Sequence, residues 1–148
     1  MMREHLVRPF EPRDQSAARA LVLAGLGDHF GFIDDALNPD LNDIAASYAT
    51  GVFLVACDGD EIVGSGALTP RADGVAIVSR MSTAATHRRR GVARAVLAQL
   101  VERARERGCT RIVLGTSIDW EDVIAFYVAF GFEEMRRTPT GVLFELVL

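Results

Sequence analysis

Thr86-His87-Arg88-Arg89-Arg90-Gly91-Val92-Ala93-Arg94 is the stretch where the chain changes character. Before it, Val75-Ala76-Ile77-Val78-Ser79-Arg80-Met81-Ser82-Thr83 reads as a long strand. After it, Val92, Ala93, Val96, Leu97, Leu100, Val101 and Ala104 recur at spacings of three and four, the buried face of a helix from about Gly91 to Arg107. A helix start offers about four unpaired backbone N–H groups and a partial positive charge, which together make an anion site. Gly91 and Ala93 have no bulk to hold a phosphate off the backbone, and the loop contains no Asp or Glu. Arg88, Arg89 and Arg90 add forked, permanently charged donors. The pattern suits a pyrophosphate, although by itself it also describes an ordinary basic helix start. The Walker A lysine and the three-glycine dinucleotide fingerprint are absent, so nucleoside triphosphates and dinucleotides are not the expected ligands.

Upstream, Leu6 to Phe10 reads as a short strand, and Asp14 as the N-cap of a helix from Gln15 to about Leu26, ended by Gly25 and Gly27. Residues 31–42 read as loop and Leu41 to Tyr48 as a second short helix. Val52–Cys57 and Glu61–Leu68 form a hairpin about Asp58-Gly59-Asp60. The glycines of Gly64-Ser65-Gly66 read as a bulge or a close backbone approach, not as a nucleophile elbow. Downstream, Gly108 closes the long helix, Arg111–Gly115 is a buried strand and Glu121–Phe130 a helix with an aromatic side. Phe132–Arg137 and Val142–Val147 are strands joined at Pro139-Thr140-Gly141. This order predicts one α/β (α+β layered) domain over residues 1–148, with helices packed on a mixed sheet.

Composition narrows the function classes. The 148 residues are 49% hydrophobic and 24% charged, the balance of a globular domain rather than a disordered or fibrous chain. No apolar run approaches the ~20 residues of a spanning helix, and the N-terminus lacks a secretory pattern, so no membrane contact and a cytoplasmic location are expected. Cys57 and Cys109 read as reduced core thiols. All 16 basic residues are arginine, which excludes any mechanism built on lysine. His5, His29 and His87 have no metal-ligand spacing with one another or with the cysteines, so no metal is expected. Charge is uneven: Asp28, Asp34, Asp35, Asp40 and Asp43 share a segment without arginine, whereas Arg80 to Arg111 is strongly basic. These are either two solvated faces or a cationic-ligand side and an anionic-ligand side. The net charge of −4 argues against a nucleic-acid partner for the arginine cluster.

Arg88-x-x-Gly91-x-Ala93 matches the Gln/Arg-x-x-Gly-x-Gly/Ala loop of the GCN5-related N-acetyltransferase (GNAT) family. Phe126-Tyr127-Val128-Ala129-Phe130-Gly131-Phe132 resembles that family's aromatic-Tyr-x-x-x-Gly-Phe signature, and the element order resembles its fold. The resemblance implies a mostly antiparallel central sheet of six to seven strands flanked by about four helices. It also implies an acetyl-CoA-dependent N-acetyltransferase, with acetyl-CoA as co-substrate and no metal. On this reading Arg88, Arg89, Arg90, Gly91, Val92, Ala93 and Arg94 surround the CoA pyrophosphate, and a bulged strand at Met81, Ser82 and Thr83 pairs with the pantetheine arm. A backbone N–H there would face the thioester carbonyl; removing one such donor costs roughly 10²–10³ in rate.

Tyr127 falls where the family often places the acid that protonates the departing thiolate; the helix pattern alone makes it a packing residue. Trp120 stands where many relatives have an asparagine, and Gly115 and Thr116 offer no carboxylate where some relatives use a glutamate base. His29, Asp34, Asp35 or a water relay remain as base candidates. The acceptor is then a small-molecule or peptide N-terminal amine, and the acidic stretch points to a cationic one. The competing reading is a non-catalytic acyl-CoA-binding or regulatory module. The apolar end Leu143–Leu148 reads as a sheet edge that a second copy could pair with, giving a homodimer.

Overall fold

The run Val52–Asp58 is apolar at every position except its last because both of its faces are covered. Val52, Leu54 and Ala56 enter one core cluster, Phe53, Val55 and Cys57 another. The computed structural model describes residues 6–30 and 38–148, the backbone alone at 28–30. Its elements are β1 (Leu6–Pro9), α1 (Gln15–Phe30), α2 (Ile44–Ser47), β2 (Val52–Asp58), β3 (Glu61–Pro70), β4 (Val75–Thr83), α3 (Val92–Glu106), β5 (Arg111–Ser117), α4 (Glu121–Phe130), β6 (Glu133–Arg137) and β7 (Gly141–Val147). The seven strands form one sheet in the order β1-β2-β3-β4-β5-β7-β6. All pairs are antiparallel except β4 with β5.

Helix α1, with Leu41 and Ile44, covers one face through Ala18, Val22 and Leu23. Helices α3 and α4 cover the other through Val92, Val96, Leu97, Leu100 and Tyr127. The apolar stripe that defined α3 in the sequence is its buried side. Gly64 and Gly66 let that helix come down onto β3. A Cβ on Gly64 would lie 2.5 Å from Val92 Cγ1, and one on Gly66 would lie 2.7 Å from Val96 Cγ1 and 2.9 Å from Leu100 Cδ1.

Three readings of the sequence need correction. Helix α1 does not stop at Gly25 and Gly27 but runs to Phe30. Gly25 is a contact point: a Cβ there would sit 3.2 Å from Ser82 Oγ on β4. Asp14 is not a simple N-cap either. It closes a 3-10 turn over Pro12–Asp14, where its carboxylate accepts from the Glu11 N–H (2.8 Å) and from Arg8 (2.7 and 3.0 Å). Finally, Leu143–Leu148 is not an edge, since β7 pairs with β5 on one side and β6 on the other. The edge is β6, whose sequence Glu133-Glu134-Met135-Arg136-Arg137 carries the charges and the register shift that discourage further strand addition.

Gly66→Ala forces a methyl against Val96 and Leu100, both fully buried. It should destabilise the protein by about 1–3 kcal/mol, read as a lower denaturant midpoint with an unchanged slope; an unchanged midpoint would show that α3 can retreat from β3.

Candidate functional site

Strands β4 and β5 are parallel partners at only three positions, Val75↔Arg111, Ala76↔Ile112 and Ile77↔Val113. Beyond these, β4 pairs only with β3 and β5 only with β7. The sheet is therefore parted in its middle, and among the described residues no strand pairs with Val78–Thr83 on the β5 side. Buried or half-buried backbone groups require a partner, so a ligand able to hydrogen-bond in an extended form suits the gap.

The same stretch of β4 is bulged. Ser65 pairs with Ser82 and Ala67 with Ser79, so Arg80 and Met81 together stand opposite Gly66. Arg80 takes φ = 56°, the left-handed region that few side chains adopt. An extra residue in one strand bends it and re-aims its backbone groups. The bulge falls at Arg80 and Met81, at the start of the Met81-Ser82-Thr83 stretch that the resemblance marks as bulged.

From Thr83 the chain makes a 3-10 turn, Ala85–His87, then the arginine loop. Buried His87 anchors it: Nε2 is 2.9 Å from Asp58 Oδ2 at the end of β2, and Nδ1 is 2.7 Å from Thr86 Oγ1. Arg89 (φ = 62°) and Gly91 (φ = 81°) both turn left-handed, and Gly91 is the residue before α3. Among the described residues no side chain caps this helix start. A Cβ on Gly91 would meet nothing within 4 Å among the described residues, so the space beside Gly91 is open. Arg88, Arg89, Arg90 and Arg94 are exposed around it, while Val92 is buried. The loop thus brings open backbone N–H groups and guanidinium groups to one place.

Helix α4 returns to that place. The guanidinium carbon of Arg94 lies 5.5 Å from the centre of the Phe130 ring, a cation–π contact joining the first turn of α3 to the last turn of α4. The local sequence explains the end of α4. The Tyr127 carbonyl accepts from both the Gly131 N–H (3.2 Å) and the Phe132 N–H (3.0 Å), and Gly131 takes φ = 127°. That closure folds the Phe132 ring onto Tyr127, at 5.6 Å between centroids. Phe126 and Phe144 pack on the tyrosine as well. Tyr127 is 5% exposed. Its hydroxyl has no protein hydrogen bond among the described residues, and Thr116 Oγ1 is a fully buried oxygen likewise without one among them. Burial pushes the Tyr127 phenol well above its ordinary value.

The acidic stretch is partly engaged inside the protein. Asp40 accepts from Arg80 Nε (2.9 Å) and Nη2 (2.6 Å) and from the Tyr48 hydroxyl (2.6 Å). Burial works to raise the Asp40 carboxyl, but the donors from Arg80 and Tyr48 and the Arg80 charge outweigh it, and the group is held below the usual carboxylate range. Asp40 is an anchor, not a proton acceptor. Asp43 receives the Ala46 N–H (3.1 Å) and caps α2. The field available to a cationic ligand is correspondingly smaller than the count of acids implied. Of the base candidates, Asp34 and Asp35 lie outside the described residues, as does the side chain of His29. Gly115 and Thr116 line an open groove with Arg136, Thr138 and Leu143. Trp120 precedes α4 without a side-chain cap to its N–H groups.

Sequence patterns missed the Arg80–Asp40–Tyr48 cluster, the role of Ser65 described below and the His87–Asp58 anchor. The only hint was the placement of Arg80 at the strand's polar end. Among the described residues no group of three or more His, Cys, Asp or Glu is arranged to hold a metal, and no helix is long and apolar enough to cross a membrane.

The sequence and the fold both have counterparts among known proteins. The sequence profile of the Acetyltransferase (GNAT) family matches residues 5–132. This chain belongs to that family. N-acetyltransferase 8F1 of Rattus norvegicus is 32% identical over 123 residues, covering 78% of this chain and 56% of the relative. A Bacillus subtilis protein described as uncharacterized N-acetyltransferase YsnE is 37% identical over 83 residues, 55% of each chain. The chain thus spans about half the length of these curated relatives. In the fold, a GNAT-family acetyltransferase from Staphylococcus aureus Mu50 superposes with a TM-score of 0.89 at 19% identity, over 97% of this chain and 99% of that one. The PaiA N-acetyltransferase of Thermoplasma acidophilum, solved with coenzyme A, gives 0.85 at 13% identity over 99% and 100%. The seven-stranded mixed sheet with its four helices is the GNAT fold.

Both tyrosines of the chain should resist ionisation. Burial raises Tyr127, and burial with the Asp40 hydrogen bond raises Tyr48. An unfolded phenol ionises near ~10. Above that pH the folded state holds protons the unfolded state has lost, so stability falls as pH rises further. Absorbance titration of the folded protein should show little phenolate at pH ~10; half-ionisation there would contradict the buried environments.

Proposed function

We propose that this GNAT protein is an acetyl-CoA-dependent N-acetyltransferase acting on an amine of a small molecule or a peptide N-terminus. The observation that carries it is the parted sheet: a bulged strand with unpaired backbone leads directly into an uncapped, arginine-ringed helix start. The residues fit coenzyme A. The open space above Gly91 leaves room for a diphosphate against the N–H groups of Val92, Ala93 and Arg94, with Arg88, Arg89 and Arg90 supplying charge. The unpaired edge of β4 at Met81, Ser82 and Thr83 suits the amide-bearing arm.

Acetyl-CoA supplies a thioester whose carbonyl carbon takes the amine lone pair and whose sulfur leaves as thiolate. The protein's part is to hold the groups around that exchange. A backbone N–H at the bulge, placed at Met81, stabilises the negative charge that builds on the carbonyl oxygen. The Tyr127 hydroxyl serves the sulfur. With its phenol raised above ~10 and a thiol ionising near ~8.5, complete proton transfer is uphill, so Tyr127 acts mainly as a neutral hydrogen-bond donor to the thiolate. The proton shed by the attacking nitrogen passes to His29, Asp34, Asp35 or a water relay, the candidates read from the sequence. No described carboxylate at Gly115 or Thr116 is available to take it directly.

The test is thiol release from acetyl-CoA across a panel of amines and peptide N-termini, alongside calorimetry with coenzyme A. Turnover of at least one amine is expected. Tyr127→Phe should lower turnover roughly 10- to 100-fold, the worth of a hydrogen bond to a charged group, and leave coenzyme A affinity within a few-fold. Because that hydroxyl has no protein partner, the melting temperature should not fall. Coenzyme A binding with no turnover of any amine would replace this reading with a non-catalytic acyl-CoA-binding module. Absence of binding would remove both.

A further inference from the structure

Two non-glycine residues among the described ones have positive φ, Arg80 and Arg89. Arg80 is the one inside a strand. A left-handed residue carrying a long side chain is sterically disfavoured and persists when its surroundings over-determine it. Here the surroundings can be named. From within the sheet, the hydroxyl of Ser65, fully buried, donates to the Arg80 carbonyl at 2.8 Å. From outside, the guanidinium is held at three points: Nε and Nη2 on the two oxygens of Asp40, Nη1 on Asn38 Oδ1 (3.0 Å). Tyr48 then donates to Asp40 and fixes the carboxylate. The planar fork on a carboxylate sets orientation as well as distance. Both charged side chains are largely covered, Arg80 at 20% and Asp40 at 28% exposure, so solvent competes weakly for the contact.

The partners come from two parts of the chain forty residues apart. Asn38 and Asp40 belong to the segment that enters the 3-10 turn Pro39–Asn42 and leads to α2. Arg80 belongs to the bulge. Moving either end moves the other.

We propose that Arg80 and Asp40 are positioning residues: their clasp fixes the bulge so that the Met81 N–H keeps its aim, and it ties the Asn38–Tyr48 segment to that same geometry. The inference rests on the reading that the bulge amide faces the thioester. Neither residue touches the reacting atoms; each acts through the backbone it holds. Asp40→Asn keeps the shape but removes the charge that pairs with Arg80. Arg80→Gly keeps the left-handed φ at no steric cost but removes the clasp, which separates backbone conformation from side-chain restraint.

The experiment measures both variants in three ways: deuterium uptake across Ser79–Thr83 against Val75–Val78 in the ligand-free protein, coenzyme A affinity by calorimetry, and kcat and KM for acetyl-CoA at saturating amine. Uptake in Ser79–Thr83 should rise at least ~10-fold over the neighbouring half of β4. The kcat should drop roughly 10- to 100-fold, less than the roughly 10²–10³ for outright removal of an oxyanion donor because the amide is misaimed and not lost, while coenzyme A affinity stays within about threefold. Asp40→Glu should recover part of kcat. A merely structural role would lower melting temperature and coenzyme A affinity together and leave kcat per folded molecule intact, which overturns the proposal. So does wild-type kcat in Arg80→Gly. Should the wild-type protein turn over no amine, the acetyltransferase reading fails separately. The uptake measurement then decides the clasp alone, and unchanged uptake in both variants refutes it.

Discussion

Parallel strands that stay together for three residues and then separate leave polar backbone facing a gap in the centre of a sheet. That gap is the constraint around which the rest of the molecule is arranged. Left unpaired and buried, its N–H and C=O groups would be a liability. Both faces of the sheet beside it are covered: α1 seats Gly25 against Ser82 on one side, and α3 settles onto Gly64 and Gly66 on the other. The bulge at Arg80 and Met81 and the left-handed turns at Arg89 and Gly91 then carry the chain from the gap's wall to a helix start. One short run of sequence therefore supplies the wall, the corner and the anion-binding end.

Tyr127 shows why packing and chemistry need not be alternatives. Its ring is part of the aromatic core with Phe126, Phe132 and Phe144, and its carbonyl closes the end of α4. Those contacts use the ring and the main chain. The hydroxyl is left with no protein hydrogen bond among the described residues. Aromatic contacts that immobilise the ring also fix the direction of its one polar atom, and the burial they bring raises its affinity for the proton.

The legible parts of the fold were those written in local periodicity or in a backbone that only certain residues adopt. The α3 stripe, the long β4 strand, the glycine at the start of α3 and the aromatic helix ending at Phe130 all follow from residues close together in the chain. Gly25 and Gly27 misled because a glycine needed for close approach looks like a helix stop until the neighbouring strand is seen. Leu143–Leu148 misled because apolarity reports burial but not the order of strands; β6 comes first in sequence yet lies outermost. Arg80 was invisible as a strained residue, since arginine carries no mark of left-handed φ. Its pairing with Asp40 arises only from the fold. For the same reason the acidic stretch reads as a solvated face or a ligand side and gives no sign that Asp40 holds Arg80.

The seat of α3 on β3 has a consequence for descent. Gly64 faces Val92, and Gly66 faces Val96 and Leu100, with no spare volume between them. A lineage that gains a methyl on the strand must give one up on the helix at nearly the same time, because the intermediate is overpacked. The two segments are separate in the gene but are expected to drift as a linked pair, each tolerating novelty only when the other concedes room.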